Sequence, residues 1–188
     1  MAGDDFNALD AVNIGIENEK SGHSFYTAAA AMTSDPHGKE MFTKLANDEL
    51  AHLYWLMTVR QSLLATGSFD PEAQKEAEEK GKGVANAIFP RPATAKAGVK
   101  VDTRELDALR RGIDGEKRAV ALYREAAEKT TDASGKALFA KLAEWEEDHI
   151  RLLEAEYDYI TNTGLYFGVS EFILEGPEYL TWWRRKSV

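Results

Sequence analysis

The sequence predicts an all-α protein, a four-helix bundle built from two repeated helical hairpins with one long crossover, plus a C-terminal extension. Three observations predict it. First, the chain repeats itself: shifted by 97 positions (112 − 15), Gly15 to Leu56 aligns with Gly112 to Leu153 without a gap, and 18 of the 42 positions are identical. The identities include Glu19 with Glu116, Lys20 with Lys117, Tyr26 with Tyr123, Asp35 with Asp132, Gly38 with Gly135, Phe42 with Phe139, Glu49 with Glu146 and His52 with His149. Polar residues matched at one fixed offset mark a duplicated unit, which folds as two similar halves about an approximate twofold axis. Second, apolar residues recur three and four apart in both copies, the period of a helix with one buried face. Third, 188 residues suffice for a real core, and the absence of cysteine excludes disulfides, thiolate metal sites, iron–sulfur clusters and a cysteine nucleophile.

Taken in order, the first helix carries its core stripe at Leu9, Val12, Ile16, Glu19, Tyr26 and Ala30. A break follows at Asp35-Pro36-His37-Gly38, where Asp35 reads as a cap and Pro36 as the first helical residue. The second helix continues the stripe at Met41, Leu45, Glu49, His52, Leu56, Val59 and Leu63, closing a hairpin over 6–66. Residues 67–101 form the crossover, with Gly81, Gly83, Pro90, Pro92 and Gly98; Pro71 to Lys82 reads as a short polar helix and the remainder as extended chain. A link this long has a purpose if the second and third long helices run parallel, because it must then travel the length of the bundle. The second hairpin, 102–162, repeats the pattern at Leu106, Leu109, Ile113, Glu116, Val120, Tyr123 and Ala127. After a break at Thr131 to Gly135 it resumes at Leu138, Leu142, Glu146, His149, Leu153 and Ile160. Residues 1–162 thus read as one domain. The extension, 163–188, ends in Trp182, Trp183, Arg184, Arg185 and Lys186 and is expected to pack on the bundle, with docking to a partner or a membrane surface as the alternative.

The net charge of −9 is spread along the chain, which argues against a nucleic-acid partner. Asp4 and Asp5 stand where a signal peptide needs basic residues, and no segment reaches the roughly 18 apolar residues of a membrane span. A cytoplasmic protein is expected.

Every stripe is interrupted at its middle by ionisable residues. Glu19 lies between Ile16 and Tyr26, Glu49 and His52 between Leu45 and Leu56, Glu116 between Ile113 and Tyr123, and Glu146 and His149 between Leu142 and Leu153. In antiparallel packing the middles of helices meet at one level, so four carboxylates and two imidazoles would share one buried volume. An unpaired buried carboxylate costs several kcal/mol, and four together cost more. Lys20 and Lys117 lie about 100° round the helix from the stripe and cannot neutralise them. Two divalent cations supply the missing charge, with the imidazoles as neutral ligands. Spacing agrees: in each Glu-x-x-His the two side chains share a helix face, and each pair has a glutamate 30 residues upstream (49 − 19 and 146 − 116).

These six residues resemble the ligand set of the ferritin-like di-iron carboxylate proteins, and the flanking sequence is similar to the rubrerythrin group. The likeness rests on Glu19-Lys20 before Phe25-Tyr26, on Asp48-Glu49-Leu50-Ala51-His52 and on Glu146-Glu147-Asp148-His149, and spans about residues 6 to 162. The resemblance implies that Glu49 and Glu146 bridge two metals, that Glu19 with His52 completes one, and that Glu116 with His149 completes the other. It implies a di-iron oxidase that oxidises Fe(II) with dioxygen or hydrogen peroxide and draws on an unidentified electron donor. The alternatives are an iron-storage or iron-delivery subunit and a bundle whose metal is structural. Oxygen-rich sites with imidazole suit iron first, and manganese or zinc can also occupy them. Two departures stand out: the chain lacks the four cysteines of a rubredoxin module, and it has Ala119 where rubrerythrins tend to carry a further glutamate. The symmetric six-residue set looks more like the ferroxidase centre of bacterioferritin-like proteins. A homodimer is expected.

Around the six, Tyr26 and Tyr123 sit two turns beyond Glu19 and Glu116, where each hydroxyl can reach a carboxylate of a facing helix or simply fill core. Asp48 and Asp148 read as either partners of a ligand histidine or solvated residues. His23 is a candidate extra ligand, although its repeat mate is Val120; His37 reads as a loop residue. Trp55 and Trp145 lie near the candidate ligands, as packing or as an electron relay.

Overall fold

The computed structural model describes residues 7–88 and 103–163. They form five helices: α1 (Ala8–Met32), α2 (Pro36–Thr66), α3 (Pro71–Ile88), α4 (Thr103–Lys129) and α5 (Ala133–Thr163). The extension beyond residue 163, with its tryptophan and arginine tail, lies outside the described residues, as does the link from 89 to 102.

Local chemistry explains where the helices start and stop. The Asn7 side chain accepts from the Leu9 amide at 2.9 Å, capping α1. Asp35 caps α2, accepting from the His37 amide at 2.8 Å, with Pro36 in the first turn. α2 ends at Gly67, whose φ of 73° is the left-handed conformation that glycine adopts without a Cβ penalty. The sequence breaks differ in detail from those expected. Pro36 begins α2 as expected and Ala133 begins α5, so Gly38 and Gly135, which the breaks included, are buried helical residues rather than breakers. Gly135 is small because the Phe69 ring packs on it: a Cβ there would stand 2.6 Å from Phe69 Cζ. α3 also runs past Lys82 to Ile88. Gly81 and Gly83 each cost about 1 kcal/mol in a helix, too little to end one that is otherwise continuous.

Contacts between helices settle their directions. A Cβ built on Gly15 meets Tyr123, and one on Gly112 meets Tyr26, so α1 and α4 run antiparallel. Each also pairs with its own hairpin partner, α1 with α2 and α4 with α5. It follows that α2 and α4 are parallel, and the chain between them must return along the bundle; α3 spends part of that return packed on α2. Its Ala77 is buried, and the Trp55 indole N–H donates to the Gln74 carbonyl at 2.8 Å.

The apolar core is divided into two clusters. One contains Val12, Ile16, Leu56, Tyr123, Phe139 and Leu142; the other contains Tyr26, Phe42, Leu45, Leu109, Leu152 and Leu153. The repeat exchanges them, since Phe42 corresponds to Phe139, Leu56 to Leu153 and Tyr26 to Tyr123. Each fully buried Leu or Phe stabilises the fold by roughly 1.5–3 kcal/mol, so two such clusters clamp whatever lies between them.

Candidate metal centre

Between the two clusters lie the six ionisable residues. Glu19 and Glu146 are 0% exposed, Glu49 1%, His149 4%, and His52 and Glu116 5%, so water does not solvate the charge. The helical period places Glu49 with His52 on one face of α2 and Glu146 with His149 on one face of α5, while Glu19 and Glu116 come from α1 and α4. The His52 and His149 rings are 5.4 Å apart between centroids.

The ligand-type atoms fall into two overlapping groups, each within 4.8 Å: Glu19, Glu49, His52 and Glu146, then Glu49, Glu116, Glu146 and His149. Glu49 and Glu146 belong to both. His52 Nδ1 lies 3.2 Å from Glu19 Oε2 and 3.2 Å from Glu146 Oε1. The mate, His149 Nδ1, lies 3.2 Å from Glu49 Oε1, 3.6 Å from Glu116 Oε1 and 3.0 Å from Glu146 Oε2. Each tyrosine hydroxyl donates across the bundle, Tyr26 to Glu116 Oε1 and Tyr123 to Glu19 Oε1. Those bonds hold each carboxylate in one orientation and leave its other oxygen for a ligand.

Among the described residues, four buried atoms of the cluster, Glu49 Oε1, both carboxylate oxygens of Glu146 and His149 Nδ1, have no hydrogen-bond partner. Buried polar atoms are ordinarily satisfied, and here the unsatisfied ones point at one another. Lys20 pairs with Glu17 at 2.7 Å and Lys117 with Glu154 at 2.9 Å, both at the surface. Oxygen and imidazole donors at this spacing fit a pair of divalent cations.

Protonation in the metal-free cluster tells the same story. Burial, then Glu146, Glu19 and Glu116, pushes the Glu49 carboxyl well above its ordinary value. Burial also raises Glu116. Burial alone would depress His52, but the Glu146 and Glu19 carboxylates outweigh it and lift it to about 9. His149 rises as well, its burial outweighed by Asp48 and the surrounding glutamates. Glu146 moves the other way, to about 2: burial opposes its ionisation, and the two histidines overcome that. Tyr26 and Tyr123 are driven far above 10 by burial and nearby carboxylates, so both remain hydroxyl donors.

The neighbours resolve unevenly. Asp48 stands 3.4 Å from His149 Nε2, with Lys44 on its other side. Asp148 turns outward to Arg151. At the repeat position of Asp48 (48 + 97) is Trp145, which stacks on His52 with ring centroids 4.8 Å apart and planes 4° from parallel. Trp55 packs on Trp145 at 5.0 Å. His23 turns to the Ala46 carbonyl, with Nδ1 at 2.7 Å, and joins neither group. Sequence reasoning missed the stacking of Trp145 and the role of Gly22, which lies directly over Glu49. Comparing the two copies at the positions where they differ carries both signals.

The sequence profile described as rubrerythrin matches residues 10–157. A hypothetical protein from Pyrococcus furiosus has a similar fold, with a TM-score of 0.63 and 21% identity over 88% of this chain and 97% of that one. No curated protein gives a significant match. Among the described residues, no helix is long and apolar enough to cross a membrane.

Proposed function

The chain belongs to the rubrerythrin family, within the ferritin-like di-iron proteins, and from that premise we propose that it is a di-iron oxidoreductase oxidising Fe(II) with dioxygen or hydrogen peroxide. One observation carries the reading: six buried donors form two overlapping groups that share Glu49 and Glu146. In this assignment Glu49 and Glu146 would be shared by the two ions, Glu19 and His52 would hold one, and Glu116 and His149 would hold the other. A pair of ferrous ions supplies two electrons at once, the number that reduces hydrogen peroxide to water.

The chain's own contribution is fourfold. The carboxylates offset the cationic charge in a volume that water cannot screen. Tyr26 and Tyr123 hold Glu116 and Glu19 in place as that charge changes. The Asp48 carboxylate, 3.4 Å from His149 Nε2, favours a proton on that outer nitrogen and so leaves Nδ1 as the donor atom. The two apolar clusters on either side keep the site dry.

The test is metal content followed by reaction. Protein loaded anaerobically with Fe(II) is expected to hold two ions per chain. One equivalent of peroxide should then oxidise both, seen as new near-ultraviolet absorption. Glu49→Ala and Glu146→Ala should lose the signal. A spectrum that stays featureless after oxidant is added to the loaded wild type refutes the assignment.

A further inference from the structure

The repeat matches all six candidate ligands, yet it breaks at the position that backs each histidine. Asp48 and Trp145 occupy equivalent places in the two copies, and each lies against the histidine of the opposite copy. The Asp48 carboxylate is 3.4 Å from His149 Nε2, whereas the Trp145 ring stacks on His52 at 4.8 Å between centroids and 4° from parallel. The lysine one turn earlier is the same in both copies, but its partner changes: Lys44 pairs with Asp48, and Lys141 Nζ lies 5.6 Å over the Trp145 ring. One histidine thus has an anion within reach of its outer nitrogen, and the other has an aromatic face against its ring.

We propose that this exchange makes the two metal positions unequal: the half at Glu116 and His149 fills first and keeps its ion, and the half at Glu19 and His52 is the weaker, exchangeable one. The inference rests on the two-metal reading above and goes beyond it by ranking two positions whose candidate ligands are the same. Both histidines turn Nδ1 toward the carboxylates, so in each ring Nε2 is the outer nitrogen and carries the proton when Nδ1 binds a cation. A cation on Nδ1 draws electron density from the ring and makes the outer N–H more positive. A carboxylate beside that N–H then favours the bound form over the free one, which raises affinity. The indole does not do this for His52. Its polar group is a donor with no acceptor, and a ring parallel to the imidazole lies off the plane in which the Nε2 proton points. An aromatic face attracts a positive ring, but more weakly than an ionised carboxylate does. Asp48 and Trp145 are therefore positioning residues, acting on the metal through the histidines.

Co(II) is the probe. Calorimetric titration of the metal-free chain should give two steps of one ion each, the first about tenfold tighter or more. Repulsion between the ions also splits the steps, so position is read separately. In crystals given one Co(II) per chain, anomalous scattering should place most of the metal beside His149, whereas repulsion alone divides it evenly. Asp48→Asn should weaken the first step about tenfold and even out the two occupancies, which a merely structural role would not do. Trp145→Asp, which copies the other half, should tighten the second step about tenfold, and Trp145→Phe, which keeps an aromatic face, should leave both steps as in wild type. Even occupancy in wild type, metal favouring His52, or an unchanged first step in a folded Asp48→Asn protein overturns the proposal. If Asp48→Asn fails to fold, Trp145→Asp decides, and an unchanged second step in it overturns the proposal. Fewer than two Co(II) per wild-type chain overturns the two-metal reading itself, which separates the two failures.

Discussion

Replacing Glu49 with glutamine should change stability in opposite directions with and without metal. Without metal, Glu49 is 1% exposed, its Oε1 has no hydrogen-bond partner among the described residues, and burial together with Glu146, Glu19 and Glu116 opposes its ionisation. An amide of the same shape removes that conflict and offers two N–H donors to the surrounding carboxylates. The expected gain is about 1–3 kcal/mol. For a chain of 188 residues this raises Tm by about 2–12 °C, at 2–4 °C per kcal/mol. With metal, the sign reverses. Two ions, each at about 100 times its dissociation constant, stabilise the wild type by about 5 kcal/mol in total, or about 10–20 °C. Glu49 belongs to both donor groups, so its loss weakens both positions and shrinks that rise to a few degrees. Thermal unfolding by circular dichroism at pH 7, with and without Mn(II) to avoid oxidation during the scan, reads both arms. Equal destabilisation of the two forms would show that Glu49 merely packs, and the reasoning would fail.

Tyr26→Phe and Tyr123→Phe remove the donors to Glu116 and Glu19 and should each lower metal affinity about 10- to 100-fold, measured by competition with a chelator; unchanged affinity refutes their positioning role. Metal-free stability should fall as pH rises. His52 has a folded pKa of about 9 against an ordinary 6.5, so its contribution is complete below pH 6.5 and lost as pH passes 9, and the raised Glu49 works in the same direction. Metal displaces those protons, so loading should release protons at pH 7 and flatten the profile; a flat profile in the metal-free protein contradicts the coupling. Gly135→Ala should cost about 1–3 kcal/mol in urea unfolding, because the methyl overlaps the Phe69 ring; a neutral result would mean that ring is loosely held.

Much of this protein is legible along the chain. The 97-residue offset pairs every candidate ligand with a mate, and the three-and-four spacing assigns Glu49 and His52, or Glu146 and His149, to one face. The cap at Asp35 and the proline after it locate the start of α2 to the residue. Such features are local: the helical period and the chemistry of helix ends act within a few residues, so sequence order reports them directly. Local rules also explain the shortfalls, since Gly81 and Gly83 look like a helix stop and Gly135 like a loop until continuous hydrogen bonding and the Phe69 ring are considered.

Only the tertiary structure decided what meets across the bundle. Asp48 reaches His149 while Asp148 turns to solvent, Trp145 stacks on His52, and Tyr26 and Tyr123 exchange partners with the opposite copy. Nor does spacing reveal that the missing methyl at Gly22 lets the Glu49 carboxylate pack against α1. Periodicity fixes the face on which a side chain lies. Which atoms then come within 3 or 4 Å depends on how closely two helices approach and how far one has slid along the other, and side-chain packing over the whole bundle sets both quantities.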